Sequence, residues 1–409
     1  MRYRDFVDLS YKPSAEKEVI CDFYLEPLNI DIEEAAGAVA AESSIGTWTE
    51  LTTIQRYVER LRATVFQIEG NNIRVSYPLE LFELGNMANL LSSVAGNIFG
   101  LGALKNLRLN DVHLPKTLIK SFNGPKYGIE GIRELLRVPK RPLVGTIIKP
   151  KLGLKTKDHA KVAYDAWIGG CDIVKDDENL SSQRFNPFEE RVIETLEMRE
   201  EAEKETGERK VYMANVTAEA EEMLRRAQFI KEHGGEYLMV DIIVCGFSAL
   251  QTLREQEFDL VIHAHRAGHA TFTKDPKHGI NMKVIAKLAR VVGVDQLHVG
   301  TAVGKMSETR REVVENSEAL TREMYDLKPV LPVASGGLHP SLVPQLTDIF
   351  GHDFVIQAGG GIHGHPEGTT SGARAMRQAV EAVMQGYSIE EYAKTHKELG
   401  RALDHWRSG

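Results

Sequence analysis

From residue 143 onward, short apolar runs rich in β-branched residues alternate with amphipathic stretches of helical periodicity. This alternation is typical of repeated strand–helix units around a parallel sheet. The predicted strands cover residues 143–151, 171–178, 210–217, 237–246, 260–267, 295–305, 331–337 and 354–361. Eight units in about 260 residues fit a (β/α)8 TIM barrel, which usually needs about 250.

The clearest helices of this region are predicted at 188–207 and 370–386, where apolar residues recur at three- and four-residue spacing and a glycine lies at the end. The last stretch, 388–409, is charged and has helical periodicity. We expect it to form a helical tail that packs outside the barrel.

The first 130 residues follow a different pattern. Strands are predicted at 16–27 and 71–82, and helices at 32–43 and 87–100. We therefore expect an α/β chain with a smaller α+β domain at 1–130 and a C-terminal barrel domain at 131–409. The segment 122–142 carries glycine and proline near its start and is the predicted connection.

Composition narrows the class of protein. The chain has 409 residues, 42% hydrophobic and 26% charged, which is ordinary for a globular protein. Its net charge of -8 argues against a dedicated nucleic-acid binder. Its apolar runs are far shorter than the roughly 20 residues of a membrane span, and the amino terminus lacks a signal core. Its three cysteines form no C-x-x-C pair. We expect a soluble cytoplasmic protein without a disulfide framework.

Ionisable residues cluster at the ends of the first two predicted barrel strands, where barrel active sites are built. Lys149 and Lys151 share one face of the first strand, although both could also extend outward to solvent. In the second, Lys175 and Asp177 share a face and Glu178 turns over the rim. Two carboxylates suit Mg²⁺, and a lysine of lowered pKa beside a cation can add CO2 as a carbamate. The alternative is a charged helix cap in a loop.

Later strands add histidines and glycine turns. The fifth carries His263 and His265, and the sixth carries His298. These could bind zinc or iron, but the neighbouring carboxylates and lysines favour proton transfer. The last two strands end in glycine-rich runs, Ser335-Gly336-Gly337 and Gly359-Gly360-Gly361, whose backbone N–H groups suit phosphate. Arg266 and Lys305 lie at the ends of the fifth and sixth predicted strands, and so at the same rim of the barrel as these glycine runs. Together they indicate an anionic substrate that could carry two phosphates.

Six motifs occur in a characteristic order: GTIIKPKLGL, GGCDIVKDDEN, HAHRAGH, HVGTAVGK, VASGG and QAGGGIHGHP. Together they resemble the large subunit of ribulose-1,5-bisphosphate carboxylase/oxygenase (Rubisco). The amino-terminal AAESSIGTWTE and AGNIFG extend the resemblance over essentially the whole chain. The sequence is most similar to the archaeal type that works without small subunits. Many spaced motifs are far more specific than any one glycine motif.

The resemblance implies a role for each matching residue. Lys175 would be the carbamylated lysine, with Asp177 and Glu178 completing the Mg²⁺ ligands. Lys149 would assist enolisation and protonate the final carbanion, with Lys151 as its supporting neighbour. The other implied catalytic residues are His265 for hydration, Lys305 for orienting CO2, and Glu42 and Asn97 of the amino-terminal domain.

The resemblance also implies how a substrate with two phosphates binds. One phosphate would lie near Arg266, His298 and Ser335. The implied substrate-binding residues further include Gly336, Gly337, Gln357, Gly359 and Gly360, together with Thr47 and Trp48. In this family the amino-terminal residues close the active site of the partner subunit.

The implied activity is Mg²⁺-dependent carboxylation of ribulose 1,5-bisphosphate to two molecules of 3-phosphoglycerate, with an oxygenase side reaction. The implied assembly is an obligate homodimer or an assembly of dimers without a small subunit. Two alternatives stay open: a Rubisco-like enolase or isomerase of sulfur salvage, and a non-catalytic bisphosphate-binding protein. The chain departs from the plant-type pattern at Ile147, Gly268 and Ile362-His363, and it lacks the glycine that usually follows Lys305.

Overall fold

The computed structural model describes residues 2–304 and 308–407, so the predicted site residue Lys305 lies outside the described residues. The chain divides into two compact units. The first comprises residues 1–123 with 268–292, and the second comprises 124–267 with 293–409. The segment 268–292 follows the fifth barrel strand in sequence but packs with the first unit. No helix within the described ranges is long and apolar enough to cross a membrane.

The strands are β1 (Glu18–Pro27), β2 (Thr64–Glu69), β3 (Asn72–Pro78), β4 (Leu104–His113), β5 (Leu143–Ile147), β6 (Ile173–Lys175), β7 (Val211–Asn215), β8 (Tyr237–Asp241), β9 (Val261–His265), β10 (Gly279–Ile280), β11 (Gln296–His298), β12 (Leu331–Ser335) and β13 (Val355–Gln357). The α-helices are α1 (Ile32–Glu42), α2 (Met87–Val94), α3 (Lys116–Ile119), α4 (Gly128–Leu136), α5 (Thr156–Ile168), α6 (Phe188–Thr206), α7 (Ala220–Glu232), α8 (Ile242–Glu255), α9 (Ala270–Thr273), α10 (Met282–Val292), α11 (Arg310–Thr321), α12 (Val343–Phe350), α13 (Gly360–His363), α14 (Thr369–Met384), α15 (Ile389–Ala393) and α16 (Lys397–Arg407).

The first unit is built on a five-stranded sheet of order β10-β4-β1-β3-β2. Its central strand β1 pairs antiparallel with both β3 and β4. Cys21, Phe23 and Leu25 alternate as buried positions along β1. This is the period-two pattern of a strand with one face against a core. Helix α1 contributes an almost continuous run of buried alanines to the same unit.

The second unit is a closed parallel barrel of order β11-β12-β13-β5-β6-β7-β8-β9. Each of the eight strands lies within one of the predicted runs. The prediction of a TIM barrel preceded by a smaller α+β domain is therefore confirmed.

Apolar residues fill the amino end of the barrel and leave the carboxyl end to polar side chains. Ile129, Ile132 and Leu136 of α4 pack in one cluster with the first residues of the strands. Helix α4 lies within 122–142, which the sequence pattern marked only as a connection. Because α4 closes one end with apolar contacts, the opposite end is the one available for chemistry.

The carboxyl-terminal tail forms α15 and α16. Leu399, Ala402 and Leu403 of α16 are buried. The amide of Gln378 on α14 donates to the carboxylate of Glu398 at 2.9 Å. The tail therefore packs on α14, outside the barrel strands.

Candidate active site

Lys175 is the last residue of β6, and 1% of it is exposed. Its Nζ donates to the backbone oxygen of Asp176 at 2.7 Å and contacts the sulfur of Met239 at 3.1 Å. Burial lowers the pKa of Lys175, while the negative charges of Glu178 and Asp177 oppose that shift. Within the described part of the chain, both hydrogen-bond acceptors of this amine are neutral groups.

Two carboxylates and two further lysines surround the carboxyl end of β6. Lys149 Nζ donates to Asp177 Oδ2 at 2.8 Å. Lys151 Nζ lies 3.8 Å from Asp177 Oδ1 and 4.0 Å from Glu178 Oε1. Burial opposes ionisation of Glu178, but the surrounding positive charges, that of Lys175 first, together outweigh burial and lower the pKa of that carboxyl. The structure thus brings together the five residues predicted at the first two strands.

His265 lies at the end of β9, beside the same carboxylates. Its Nε2 is 3.8 Å from Glu178 Oε2, and its Nδ1 is 2.8 Å from Asp241 Oδ1. Sequence reasoning missed Asp241, although a single carboxylate in the middle of the apolar run 238–244 was a usable signal. Because Asp241 fixes the Nδ1 side of the ring, Nε2 is directed toward the site.

Two buried histidines of β9 and β11 and a half-buried serine of β12 form a hydrogen-bonded row. His298 Nε2 lies 2.9 Å from His263 Nε2, and His298 Nδ1 lies 2.7 Å from Ser335 Oγ. Burial lowers the pKa of His263 to about 3 and holds the pKa of His298 well below its usual range. Both rings are therefore neutral near pH 7. His263 was noted in the sequence but not assigned to the site.

Arg266 is 5% exposed and pairs with Glu308, whose Oε1 accepts from its Nη2 at 2.6 Å. Its Nη1 is also buried, yet among the described residues it has no hydrogen-bond partner. A buried guanidinium N–H without an acceptor is costly. Arg266 therefore keeps one donor available for an anionic oxygen.

The two glycine turns follow β12 and β13. Gly336 and Gly337 have φ values of 118° and 72°, which only glycine adopts without strain. A side chain at Gly359 would come within 3.1 Å of Lys149 Cε, so the turn passes close to that lysine. At Gly360, no described atom outside its own turn lies within 4 Å of the corresponding position. Gln357 is buried beneath the turn and donates through Nε2 to the backbone oxygen of Thr146 at 2.9 Å.

The remaining predicted residues belong to the first unit. Glu42 ends α1 and accepts a hydrogen bond from Tyr3 Oη at 2.9 Å. Thr47 is half-buried, whereas Trp48 is 80% exposed. Asn97 is exposed at the start of a short 3-10 turn. The sequence patterns thus point to candidate residues in both units.

Asp176 organises a buried clamp behind the carboxylates, which sequence reasoning did not find. Its carboxylate accepts from Tyr212 Oη at 2.6 Å, from the backbone N–H of Asn215 at 2.9 Å and from Arg191 Nε at 3.2 Å. The Asn215 side chain also donates to the backbone oxygen of Glu178 at 3.1 Å. The clamp therefore fixes the turn that carries Asp177 and Glu178.

Arg191→Met should lower the free energy of unfolding by about 3–5 kcal/mol, because the Asp176 carboxylate would stay buried without its cation. Urea denaturation measures this loss. The matched control is Arg310→Met, whose ion pair with Asp348 is largely exposed and should contribute no more than about 1 kcal/mol. Equally small losses for both variants would contradict a structural role for the clamp.

Comparison with known proteins finds family matches over nearly the whole chain. Residues 5–118 match the family profile described as ribulose bisphosphate carboxylase large chain, N-terminal domain. Residues 128–406 match the profile described as the catalytic domain of the same chain. A curated relative from Methanocaldococcus jannaschii, named ribulose bisphosphate carboxylase, is 49% identical over 427 residues, covering 98% of this chain and 100% of that protein.

Solved structures agree with the sequence relatives. The octameric Rubisco of Pyrococcus horikoshii OT3, described as a complex with sulfate ion, has a TM-score of 0.96 at 48% identity and covers 99% of this chain and 97% of that one. The dimeric archaeal Rubisco of Hyperthermus butylicus has a TM-score of 0.94 at 46% identity, with 99% of each chain covered. The chain therefore belongs to the ribulose bisphosphate carboxylase large-chain family, which confirms the identification made from its sequence motifs.

Proposed function

We propose that this chain is a ribulose-1,5-bisphosphate carboxylase that adds CO2 to the bisphosphate sugar and yields two molecules of 3-phosphoglycerate. Oxygen would compete with CO2 in a side reaction. The observation that carries the proposal is the cluster of Lys175, Asp177, Glu178 and Lys149 at the carboxyl end of the barrel. The names of the relatives support the same reaction.

Asp177 and Glu178 provide the hard oxygen ligands that Mg²⁺ prefers. Lys175 would complete the set after reacting with CO2: its neutral nitrogen bonds to the carbon of CO2 and releases a proton, which leaves a carbamate of charge minus one. Burial and neutral acceptors favour the uncharged amine that this step requires. When bound, Mg²⁺ supplies a Lewis acid that stabilises the negative charge developing on substrate oxygens.

Each proton transfer of the reaction is assigned to a different side chain. We assign proton removal from the sugar to the carbamate on Lys175 and the final protonation to the amine of Lys149. We assign to His265, whose Nδ1 lies 2.8 Å from Asp241 Oδ1, the removal of a proton from the water that adds to the ketone of the carboxylated sugar. Lys305 would orient CO2, as the family resemblance implies.

We assign one phosphate to Arg266, His298 and Ser335. The buried Nη1 of Arg266 supports this assignment, because it has no acceptor within the described part of the chain and a phosphate oxygen would supply one. The second phosphate would accept hydrogen bonds from backbone N–H groups of the turns at 336–337 and 359–360. Glycine there allows close approach of the backbone to the ligand.

We further propose that the chain acts as an obligate homodimer or as an assembly of dimers without a small subunit. Glu42, Thr47, Trp48 and Asn97 of one protomer would close the barrel of its partner. A tryptophan that is 80% exposed in the single chain is typical of an interface residue. The solved relatives are described as octameric and dimeric.

Activity should require preincubation with CO2 and Mg²⁺ together, because the carbamate forms from CO2 and the cation would hold it in place. Four samples of enzyme are incubated with both, with CO2 alone, with Mg²⁺ alone, or with neither. Each is then diluted into a short assay that measures consumption of the bisphosphate. We expect a full initial rate only after incubation with both, and a lag in the other three samples. A full initial rate from CO2-free enzyme supplied with Mg²⁺ would contradict the role given to Lys175.

A further inference from the structure

His363 is one of the positions where this chain departs from the plant-type motif, and its hydrogen bonds have an unambiguous direction. Thr146 Oγ1 lies 2.7 Å from the backbone oxygen of Ala358 and 2.9 Å from His363 Nε2. A carbonyl oxygen can only accept, so the hydroxyl proton of Thr146 points to Ala358. His363 Nε2 therefore carries a hydrogen and donates it to Thr146.

The other ring nitrogen completes the assignment. His363 Nδ1 lies 3.1 Å from Thr369 Oγ1, so it accepts from that hydroxyl. Burial lowers the pKa of His363 to about 4. A hydrogen bond to the backbone of Ile147 opposes that shift, and the positive charge of Lys149 adds to it. The ring is therefore neutral and held in one tautomer near pH 7.

These contacts join two segments of the proposed active site. Thr146 lies on β5, three residues before Lys149, and Ala358 directly precedes Gly359. The turn at Gly359 passes close to the Lys149 side chain. A single imidazole thus ties β5, the strand that leads to Lys149, to the glycine turn beside that lysine.

We propose that His363 is a positioning residue, which holds the amine of Lys149 and the backbone donors of the turn at 359–360 in one fixed arrangement. The inference rests on the proposed function, in which that turn binds a phosphate and Lys149 acts on the same substrate. Without the tie, the turn and the lysine could shift relative to each other. Substrate would then bind more weakly and react more slowly.

The test compares His363→Leu, which cannot donate, with His363→Gln, whose amide N–H can. The Michaelis constant for ribulose bisphosphate should rise about fivefold to tenfold in the leucine variant, because the variant loses the hydrogen bond from His363 to Thr146. In the glutamine variant the Michaelis constant should return toward the wild-type value. Calorimetric binding of the bisphosphate to unactivated enzyme should weaken in parallel. NMR of isotope-labelled histidine should show the Nε2–H tautomer in the wild type.

The matched control is His365→Leu. His365 is also buried, but it contacts the backbone oxygen of Glu398 in the tail, at 3.1 Å from its Nε2. This variant should lose stability without a change in the Michaelis constant.

Unchanged bisphosphate binding by His363→Leu would overturn the proposal. A glutamine variant no better than leucine, or the same binding loss in His365→Leu, would overturn it as well. If the wild type fixes no CO2, the proposed function fails, whereas the calorimetric comparison still decides the role of His363.

Discussion

Lys175→Ala should abolish CO2 fixation, with a loss of about 10⁴-fold or more, because it removes both the proposed general base and one anionic ligand. Turnover of fully activated enzyme measures this loss. Isotopically labelled CO2 with Mg²⁺ should give a carbamate NMR signal in the wild type and none in the variant. The bisphosphate should still bind, since the groups assigned to its phosphates are intact.

A second buried lysine serves as the control. Lys210 is fully buried, and its Nζ donates to the backbone oxygen of Cys171 at 2.9 Å and to Glu208 at 2.8 Å. Lys210→Ala should lower stability, yet the folded fraction should keep its turnover and its carbamate signal. If Lys175→Ala retained turnover, or if both variants lost the carbamate signal equally while folded, Lys175 would not be the activating residue.

A mixed dimer should recover activity that neither of its parent chains possesses. Glu42→Gln removes a carboxylate of the first unit, and Lys175→Ala inactivates the barrel, so each homodimer should be inactive. When the chains are co-expressed, one site of each mixed dimer carries neither change. With random pairing, about half the dimers are mixed and one of their two sites is intact, so recovery should approach about a quarter of wild-type activity.

The control for this experiment co-expresses Lys175→Ala with Asp177→Asn. Both changes lie in the same unit, so every barrel of a mixed dimer is defective and no activity should return. Absence of recovery from verified mixed dimers of Glu42→Gln and Lys175→Ala would show that Glu42 serves its own chain's barrel or no active site.

The barrel could be predicted because its strands are buried on both faces and read as continuous apolar runs. Its candidate site could be located because parallel strands end at one rim, so the charged residues that close each run had to converge. In the first unit, β2 and β4 were missed. In β4, Leu107 and Leu109 alternate with polar residues only briefly, and its pairing with β1 is interrupted by register shifts. The sequence of β4 therefore lacks the sustained alternation of apolar and polar residues by which a strand is predicted.

The supporting hydrogen bonds could not be predicted, because they depend on long-range packing. Asp176 looked like one more charge in an acidic run, yet it faces away from its neighbours and pairs with Arg191 of α6. His363 looked like a loop substitution, yet it is hydrogen-bonded to Thr146 of β5, more than 200 residues earlier in the chain. Sequence patterns indicate which chemistry is present, whereas the partners that orient it depend on the three-dimensional structure.

The carboxylase assignment is tested most directly by incorporation of radiolabelled CO2. Wild-type enzyme, activated with CO2 and Mg²⁺, is supplied with ribulose 1,5-bisphosphate and label in the absence of oxygen. We expect acid-stable radioactivity in 3-phosphoglycerate, equimolar with the bisphosphate consumed. Consumption of the bisphosphate, or exchange of its proton with water, without acid-stable label would contradict the assignment and would indicate an enolase or isomerase instead.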